Sequence, residues 1–292
     1  MEKYDGWFIY PTKGLGEKNI HFINILKEKA KKFNVSIKMI DLGKMKVSTE
    51  NGGELIYEKK RVENFPNFAF FRCAGGVEIA RFLESRDVKT INNSNVMTTA
   101  VDKFKTGMIL ANNGIRTPKT IFTQSRKISY KTLSADLGEK FIVKDNFGSR
   151  GRDVYLIKNQ EDFNKIDRKN KIYQEFIESS HGKDLRILVL GRKVLGGVMR
   201  SANNKEDFKA NLSQGGIATQ IEITPEIEEL ALKVYDLFGF DFLGLDLLFD
   251  ESGYTVCEIN TNPGLKSFNA MDNIAISDEY FKYFLENNKF QK

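Results

Sequence analysis

The sequence predicts a mixed α/β (α+β) fold in which a mostly parallel sheet is followed by antiparallel sheets. In the first ninety or so residues, short apolar runs alternate with stretches of helical periodicity, which is typical of an open parallel sheet. From residue 141 onwards, strand patterns joined by short glycine turns predominate, which favours antiparallel pairing. The 292 residues are about twice the length of one typical domain, so we expect two or three domains.

Composition and charge exclude several classes of protein. Apolar residues make up 41% and charged residues 29% of the chain, which excludes a disordered or collagen-like protein. No apolar run approaches the roughly 20 residues that span a bilayer, and the N-terminal segment lacks the pattern of a secretory signal. Two cysteines cannot form a disulfide framework, so we expect a cytoplasmic protein without a membrane partner. The net charge of +6 either favours anionic substrates such as nucleotides or glutamate or merely aids solubility, and the absence of long Lys/Arg blocks argues against a nucleic-acid partner.

The N-terminal third is predicted to form a parallel sheet with one additional hairpin. We expect strands at 6–10, 35–42, 68–72 and 88–92, helices at 17–33 and 76–86, and a hairpin over 50–62. Gly52 and Gly53 can supply the positive φ angles that the hairpin turn needs. Gly14 and Gly16 fit a simple turn from strand to helix better than an incomplete dinucleotide-binding fingerprint.

The remaining two thirds are predicted to contain two long helices, a short helix between residues 157 and 171, and seven strands. One helix covers 98–113 and ends at Asn113-Gly114, and another begins at Pro225 after the N-cap Thr224. The expected strands are 141–145, 153–157, 171–177, 184–190, 193–200, 240–250 and 254–260.

A glycine loop follows the strand that ends near Lys144. Its glycines, Gly148 and Gly151, flank Ser149 and Arg150. Glycines let backbone N–H groups approach phosphate oxygens closely, and a nearby lysine offsets the phosphate charge. The alternative is a plain surface hairpin without a ligand.

Three oxygen-bearing side chains lie on the last two predicted strands. Asp246 interrupts an apolar run, where a carboxylate is costly to bury unless a cation or hydrogen bonds compensate. Glu258 and Asn260 are two residues apart on a strand and project from the same face. If the strands pair, the three side chains converge and suit Mg²⁺ that is shared with nucleotide phosphates. The alternative is a hydrogen-bonded polar patch.

Several other side chains are candidates with weaker patterns. Asp184 and Arg186 share one strand face, where the Arg186 guanidinium could bind a phosphate or carboxylate, or the two residues could simply form a surface ion pair. The only two histidines, His21 and His181, are expected at the surface. Cys257 is expected to pack as a small apolar group.

Taken together, these segments resemble the ATP-grasp carboxylate–amine ligases, most closely the RimK-type α-L-glutamate ligases. The resemblance covers about residues 95–275, and its ordered set of motifs is specific although no single motif is. The motifs are Asp102-Lys103, Val143-Lys144 with the glycine loop, QEFI at 174–177, GKDLR at 182–186, DFKANLSQGG at 207–216, ITPE at 223–226, and Asp246 followed by EINTNPG at 258–264.

The resemblance implies three domains and an ATP site between two antiparallel-sheet lobes. The implied domains are an N-terminal pre-ATP-grasp domain (1–95), a central lobe with the glycine flap (96–176) and a C-terminal lobe with the Mg²⁺ site (177–292). Implied nucleotide contacts are Lys103, Lys144, the flap residue Ser149, the backbone of Glu175 and Phe176, Asp184 near the ribose, and Lys209 and Asn211 near the phosphates. Lys209 stands where the family has an arginine. Asp246, Glu258 and Asn260 match the ligands of two Mg²⁺ ions, for which Mn²⁺ can substitute, and Arg186 and Arg200 match the catalytic arginines.

The implied reaction is amide-bond formation through an acyl-phosphate. A carboxylate attacks the γ-phosphate of ATP, and an amine then displaces phosphate from the acyl group. Lys266 and Asn269 suit an acidic co-substrate, so glutamate is the favoured amino acid, with a peptide, a protein C-terminus or a small molecule as the carboxylate acceptor. Alternatives are a lysine-biosynthesis-type ligase acting on a carrier protein, a peptide-modifying ATP-grasp enzyme, or a non-catalytic ATP-binding sensor. Such ligases are often homo-oligomers.

Overall fold

The structure is a computed structural model that describes residues 2–11, 17–73, 75–125, 127–148, 153–204, 206–210, 215–265, 268, 278–279 and 281–283, with the backbone alone for 17–23. The described helices are Glu17–Lys32 (α1), Val77–Glu84 (α2), Ser94–Ala100 (α3), Lys103–Asn112 (α4), Tyr130–Leu137 (α5), Gln160–Asn164 (α6) and Pro225–Phe238 (α7). The described strands are Gly6–Tyr10 (β1), Ile37–Asp41 (β2), Met45–Ser48 (β3), Glu54–Tyr57 (β4), Lys60–Arg61 (β5), Phe68–Phe71 (β6), Lys89–Ile91 (β7), Thr120–Phe122 (β8), Phe141–Asp145 (β9), Val154–Ile157 (β10), Lys171–Glu175 (β11), Lys183–Leu190 (β12), Lys193–Ser201 (β13), Ile217–Ile221 (β14), Phe242–Asp250 (β15) and Gly253–Asn260 (β16).

The N-terminal sheet has the strand order β2-β1-β6-β7, and every neighbouring pair is parallel. This arrangement confirms the sheet predicted from the alternation of strands and helices. Both faces are apolar, with Trp7 and Ile9 in one buried cluster and Phe8, Phe68 and Phe70 in another. Since parallel strands end at the same edge, the residues that follow β6 and β7 lie side by side.

The predicted hairpin is part of a three-stranded sheet with the order β3-β4-β5. Gly52 and Gly53 have φ angles of 76° and 100° in the first turn, as expected. A second turn at Glu58 and Lys59, with φ angles of 49° and 67°, was not predicted because neither residue type favours positive φ. Strand β3 was also missed, since its alternation of apolar and polar residues extends over only four residues, MKVS.

The single helix predicted over 98–113 is wrong, because the chain forms two helices, α3 and α4, on either side of Asp102. The Asp102 side chain accepts a hydrogen bond from the Lys105 N–H at 3.0 Å and so caps a new helix. Asn146 stabilises this break by donating to Asp102 at 2.9 Å. The expected end of the second helix is confirmed, with Gly114 in the left-handed conformation at φ 66°.

Two antiparallel sheets follow, with the orders β10-β9-β11-β8 and β14-β13-β12-β15-β16. One face of the five-stranded sheet packs against α7, where Ile187 and Leu245 meet Ala231 and Val234. At one end of the other face, apolar residues such as Leu188 pack against the N-terminal sheet. The charged side chains of the candidate site lie at the other end of that same face.

The predicted strands of these sheets are present, whereas β8, β14 and α5 were not predicted. Strands β8 and β14 are short edge strands that carry exposed residues, so they lack a strong apolar pattern. The domain boundaries at 95/96 and 176/177 stay a prediction. Within the residues that the structure describes, no helix is long and apolar enough to cross a membrane.

Candidate active site

A cleft between the two antiparallel sheets brings most of the predicted site residues together. It has about 990 Å³ of empty space, part of which is open to solvent. The predicted residues that line it are Lys103, Lys144, Glu175, Phe176, Asp184, Arg200, Lys209, Asp246 and Glu258. Arg186 and Asn260 lie behind this lining, next to Asp246. Ser149, Asn211, Lys266 and Asn269 lie outside the described residues, as do Gly14 and Gly16.

Lys144 is buried on β9 with its ammonium group at the cleft. Its Nζ donates to Gln174 Oε1 at 2.8 Å, and Gln174 in turn donates to Thr120 Oγ1 at 2.8 Å. Gln174 faces the cleft because its cross-strand partner is Ile142, two residues from Lys144 on the same face of the sheet. A buried cation of this kind is held in place by neutral partners and can bind an incoming anion.

Lys103 lies at the start of α4, lines the cleft and contacts two other parts of the chain, at Gly148 and Glu258. Its Nζ donates to the carbonyl oxygen of Gly148 at 2.5 Å and lies 3.4 Å from Glu258 Oε1. The start of α4 is fixed by Asn146, which accepts a hydrogen bond from the Phe104 N–H at 2.8 Å. Lys103 therefore lies between the base of the glycine loop and the last strand of the five-stranded sheet.

Two arginines and two aspartates form a buried cluster on β12, β13 and β15. Arg186 donates from Nε and Nη2 to the two oxygens of Asp246 at 2.7 and 2.6 Å. Arg200 donates to the two oxygens of Asp184 at 2.5 and 2.7 Å, and its Nη2 lies 3.1 Å from Asp246 Oδ2.

The surface ion pair between Asp184 and Arg186 that the sequence left open is therefore wrong. Arg186 lies directly opposite Asp246, and Asp184 lies opposite Arg200, in the strand register. Directly opposed side chains are closer together than those two apart on one strand, so each residue pairs across the sheet. The Asp184 carboxylate faces Arg200, and its contact with a ribose stays a prediction.

The cluster changes the ionisation of its members. Burial raises the pKa of Asp246, but the charges and hydrogen bonds of Arg186 and Arg200 outweigh it and hold that pKa below its ordinary value. For Asp184, burial is the largest effect and raises the pKa despite the attraction of Arg200. Burial lowers the pKa of Arg200, but Asp246 and Asp184 raise it further than burial lowers it. The two arginines therefore favour the ionised form of Asp246.

Replacing Arg200 by Met is expected to destabilise the fold by about 3–5 kcal/mol, because two buried carboxylates would lose a shared cation. Equilibrium unfolding in urea measures this change. Arg192→Met is the matched control, since Arg192 forms an exposed ion pair with Asp236 at the turn of the same hairpin and should change the unfolding free energy little. Equal effects of the two substitutions would contradict the assigned importance of the buried cluster.

Of the three predicted metal ligands, Asp246 and Glu258 line the cleft, and Asn260 lies next to Asp246 behind this lining. Asp246 and Glu258 are cross-strand partners, and the Asn260 amide nitrogen lies 3.5 Å from Asp246 Oδ2. Two carboxylates and one amide provide the oxygen ligands that Mg²⁺ prefers, and the open side of the cleft leaves room for phosphate oxygens and water. The chemistry of these side chains therefore suits a divalent cation, and their assignment to one that is shared with a nucleotide stays a prediction.

A β-bulge in β16 changes the environment of Cys257. Asp246 pairs with Glu258, whereas the next residue, Leu247, pairs with Val256, so Cys257 is the additional residue of the bulge. As a result, Cys257 and Glu258 both line the cleft. Burial raises the pKa of the Cys257 thiol, which agrees with the expectation that Cys257 packs as a small apolar group, whereas its place in the cleft lining was not predicted.

The predicted adenine-binding segment crosses from one sheet to the other. The Glu175 N–H donates to the Lys119 carbonyl at 2.9 Å, and the Glu175 carboxylate accepts from the Lys119 N–H at 3.1 Å. Apolar side chains on both sides of this segment complete the walls, which the sequence pattern alone did not assign to a ligand: Ile142, Val154, Ile177 and Leu248.

His181 is half-buried, so the expectation that it lies at the surface holds only in part. Its ring packs edge-on against Phe176 with 5.8 Å between centroids, and its buried Nε2 has no hydrogen-bond partner among the residues that the structure describes. The side chain of His21 lies outside the described part of the chain. The Gly182 N–H donates to the Phe208 carbonyl oxygen at 3.3 Å, and in the same loop burial lowers the pKa of Lys209, whose ammonium lies 5.3 Å from the Phe208 ring centroid.

The fold of the chain matches that of solved ATP-grasp ligases. A solved structure of the ATP-grasp ligase PsnB with a minimal precursor matches with a TM-score of 0.73 and 16% identity, covering 98% of this chain and 100% of that one. The same ligase with precursor, Mg and ADP matches with a TM-score of 0.70 and 14% identity over 97% of each chain. At this level of identity, the structures show a shared fold.

Sequence comparison is more specific. Residues 100–284 match the RimK-like ATP-grasp domain. A probable α-L-glutamate ligase from Maridesulfovibrio salexigens is 30% identical over 82% of each chain. The mouse N-acetylaspartylglutamate synthase A is 26% identical over 94% of this chain and 77% of that protein. The chain belongs to the RimK-like ATP-grasp family, which confirms the resemblance found in the sequence, and it is an ATP-dependent ligase that forms carbon–nitrogen bonds.

ATP is expected to slow the alkylation of Cys257, because the thiol lines the cleft that the nucleotide would fill. The rate can be followed by mass spectrometry of peptides after treatment with iodoacetamide at pH 8. Cys73 is the internal control, since it lies in the N-terminal sheet, where burial raises the pKa of its thiol to about 12. If ATP leaves the rate at Cys257 unchanged, the nucleotide binds elsewhere.

Proposed function

We propose that this ligase joins the amino group of an amino acid, with glutamate favoured, to a carboxylate of a peptide, a protein C-terminus or a small molecule. The observation that carries the proposal is the 30% identity to a protein named as a probable α-L-glutamate ligase, over 82% of each chain. The name of the mouse relative, a synthase of N-acetylaspartylglutamate, supports glutamate as the amine donor in a second branch of relatives.

Three lysines are proposed to hold the triphosphate of ATP next to β15 and β16, the strands that carry Asp246 and Glu258. Lys144 is buried at the cleft and Lys103 lies beside the glycine loop, so both can donate to phosphate oxygens. Lys209 would add a third charge where the family has an arginine. Its single ammonium group keeps the charge but loses the two-pronged hydrogen bonding of a guanidinium. Ser149 and Asn211 are assigned to the same phosphates on sequence alone.

Asp246, Glu258 and Asn260 would hold two Mg²⁺ ions, for which Mn²⁺ can substitute. Bound there, the ions neutralise charge on the transferring phosphoryl group. An oxygen of the substrate carboxylate attacks the γ-phosphorus, and the bond to the β–γ bridging oxygen breaks to release ADP. The amine nitrogen then attacks the acyl carbon and loses its proton, and inorganic phosphate leaves.

The two arginines are proposed to have different parts in this reaction. Arg200 lines the cleft and would stabilise the negative charge of the acyl-phosphate and of the tetrahedral intermediate. Arg186 lies behind the lining with its Nε and Nη2 on Asp246, so it would act by holding that carboxylate. The sequence alone had assigned both to the reacting groups.

We assign the selection of the acceptor to the N-terminal domain (1–95) and to residues 265–276. The other two proposed domains are the central lobe (96–176) and the C-terminal lobe (177–292). Oligomerisation, which is common in related ligases, is part of the proposal and can be tested by light scattering.

The test is Mg²⁺-dependent release of phosphate from ATP across the twenty amino acids, in the presence of a mixed set of peptide and small-molecule carboxylates. The Glu258→Ala variant is the control, because it should lose the stimulation if the reaction takes place in this cleft. Stimulation by glutamate that disappears in the variant supports the proposal, whereas stimulation by a different amino acid overturns the choice of glutamate.

If none of the twenty amino acids stimulates phosphate release, the binding of Mg-ATP is measured directly. Tight binding without turnover would favour a missing acceptor, such as a carrier protein or a peptide precursor, or a non-catalytic sensor. Absence of binding would contradict the ATP site itself.

A further inference from the structure

The C-terminal edge of the N-terminal sheet reaches the loop that follows β16. Arg72 comes directly after β6 and Asn92 directly after β7, and these strands are neighbours in the sheet. Their side chains contact the backbone at Thr261 and Pro263. This loop begins directly after Asn260, one of the three side chains assigned to the metal.

Asn92 is 2% exposed, and its amide makes four hydrogen bonds. Its Oδ1 accepts from the backbone N–H groups of Asp241 and Phe242 at 2.8 and 2.9 Å. Its Nδ2 donates to the carbonyl oxygens of Phe242 and Thr261 at 2.7 and 3.1 Å. One side chain thus holds the start of β15 and the end of β16, the two strands that carry Asp246, Glu258 and Asn260.

Arg72 holds the same loop two residues further on. Its Nη1 and Nη2 both donate to the Pro263 carbonyl oxygen at 3.2 Å. Pro263 in turn packs tightly on Gly244, because a Cβ placed on that glycine would lie 2.4 Å from the Pro263 Cβ and 3.6 Å from the Asn260 Cβ. Gly244 and Asn260 are cross-strand partners, so a movement of Pro263 would displace both.

We propose that Arg72 and Asn92 are positioning residues for the divalent-cation site. They fix the ends of β15 and β16 from the N-terminal sheet, and they thereby set the separation of Asp246 and Asn260. Metal coordination tolerates deviations of a few tenths of an ångström, so small shifts of the strand ends weaken binding. The proposal rests on the assignment of Asp246, Glu258 and Asn260 to the cation.

The test is the affinity for Mn²⁺ in the presence of saturating ADP, followed by electron paramagnetic resonance of the free ion. Arg72→Met keeps most of the apolar stem and removes the donors to Pro263. We expect about 10- to 100-fold weaker Mn²⁺ binding, as is typical when the groups that orient metal ligands are lost. Asn92→Asp, which places an acceptor against two carbonyl oxygens, should weaken Mn²⁺ binding to a similar extent.

Arg86→Met is the matched control, since Arg86 also donates to backbone carbonyl oxygens, at Gly52 and Gly53, far from the cleft. It should leave Mn²⁺ affinity unchanged. Thermal unfolding and ADP affinity without metal identify a general loss of structure, which a merely structural role of Arg72 would produce. If Asn92→Asp fails to fold, Arg72→Met alone decides the question.

Unchanged Mn²⁺ affinity in Arg72→Met, or an equal loss in Arg86→Met, would overturn the proposal. Asp246→Asn separates this result from a failure of the proposed function. If Asp246→Asn binds Mn²⁺ as tightly as the unaltered protein, the metal assignment is wrong, and the positioning role falls with it.

Discussion

Replacing Asp246 by Asn is expected to reduce ATP-dependent ligation by roughly 10²- to 10³-fold. Asp246 is assigned to the cation, and it is also the anion that Arg186 and Arg200 share. The substitution keeps the size of the side chain but removes the charge that orients both arginines. The loss is measured as the steady-state release of ADP, with the amino acid that the panel identifies and the same mixed set of carboxylates.

Asp250→Asn is the matched control for this experiment. Asp250 lies on the same strand and also pairs with an arginine, Arg116, but this pair is at the surface. An exposed ion pair contributes little to stability, and this pair is not part of the cleft lining, so activity should be retained. If Asp246→Asn keeps activity similar to that of Asp250→Asn in a folded protein, the chemistry does not depend on this carboxylate.

Replacing Lys144 by Met is expected to weaken Mg-ATP binding by about 10- to 100-fold, since a hydrogen bond to a charged group contributes about 1.5–3 kcal/mol. The lysine is 6% exposed and lies at the cleft, where a phosphate oxygen would replace or share the contact with Gln174. Methionine fills similar space, so the fold should persist. Isothermal titration with Mg-ATP gives the change directly.

Lys140→Met is the control for the loss of a positive charge near the same strand. Lys140 comes immediately before β9 and pairs with Glu178 at the surface. We expect ATP affinity in this variant to remain that of the unaltered protein. Equal weakening by both substitutions would mean that Lys144 acts through the overall charge and not through contact with the phosphates.

Parts of the fold with strong apolar patterns could be predicted from the sequence. The parallel sheet follows from buried strands such as β1 and β6, which are apolar along their length. Strands such as β8 and β14 have exposed positions, and their pairing depends on a neighbouring strand that is distant in sequence. The break at Asp102 was missed because helical periodicity continues across it, although an aspartate in that place is a common N-cap.

The candidate site could be predicted in its composition but not in its pairing. The family motifs identified the residues that meet in the cleft, including Lys103 and Glu258. The partners of the two arginines depend on strand register, which local sequence does not set, so Asp184 was placed beside Arg186 and not opposite Arg200. The position of Cys257 depends on a bulge, which inserts one residue into one strand and has no simple sequence signal.

Because of the same bulge, the size of the side chain at position 257 can vary independently of the position of the Glu258 carboxylate. In a regular strand, the neighbour of Glu258 would point to the opposite face and pack against α7, so its size would be fixed by the core. The extra residue instead places Cys257 in the cleft, next to Glu258 and outside the strand pairing. Substitutions at position 257 can therefore reshape this wall of the cleft while the carboxylate beside it keeps its place in the sheet.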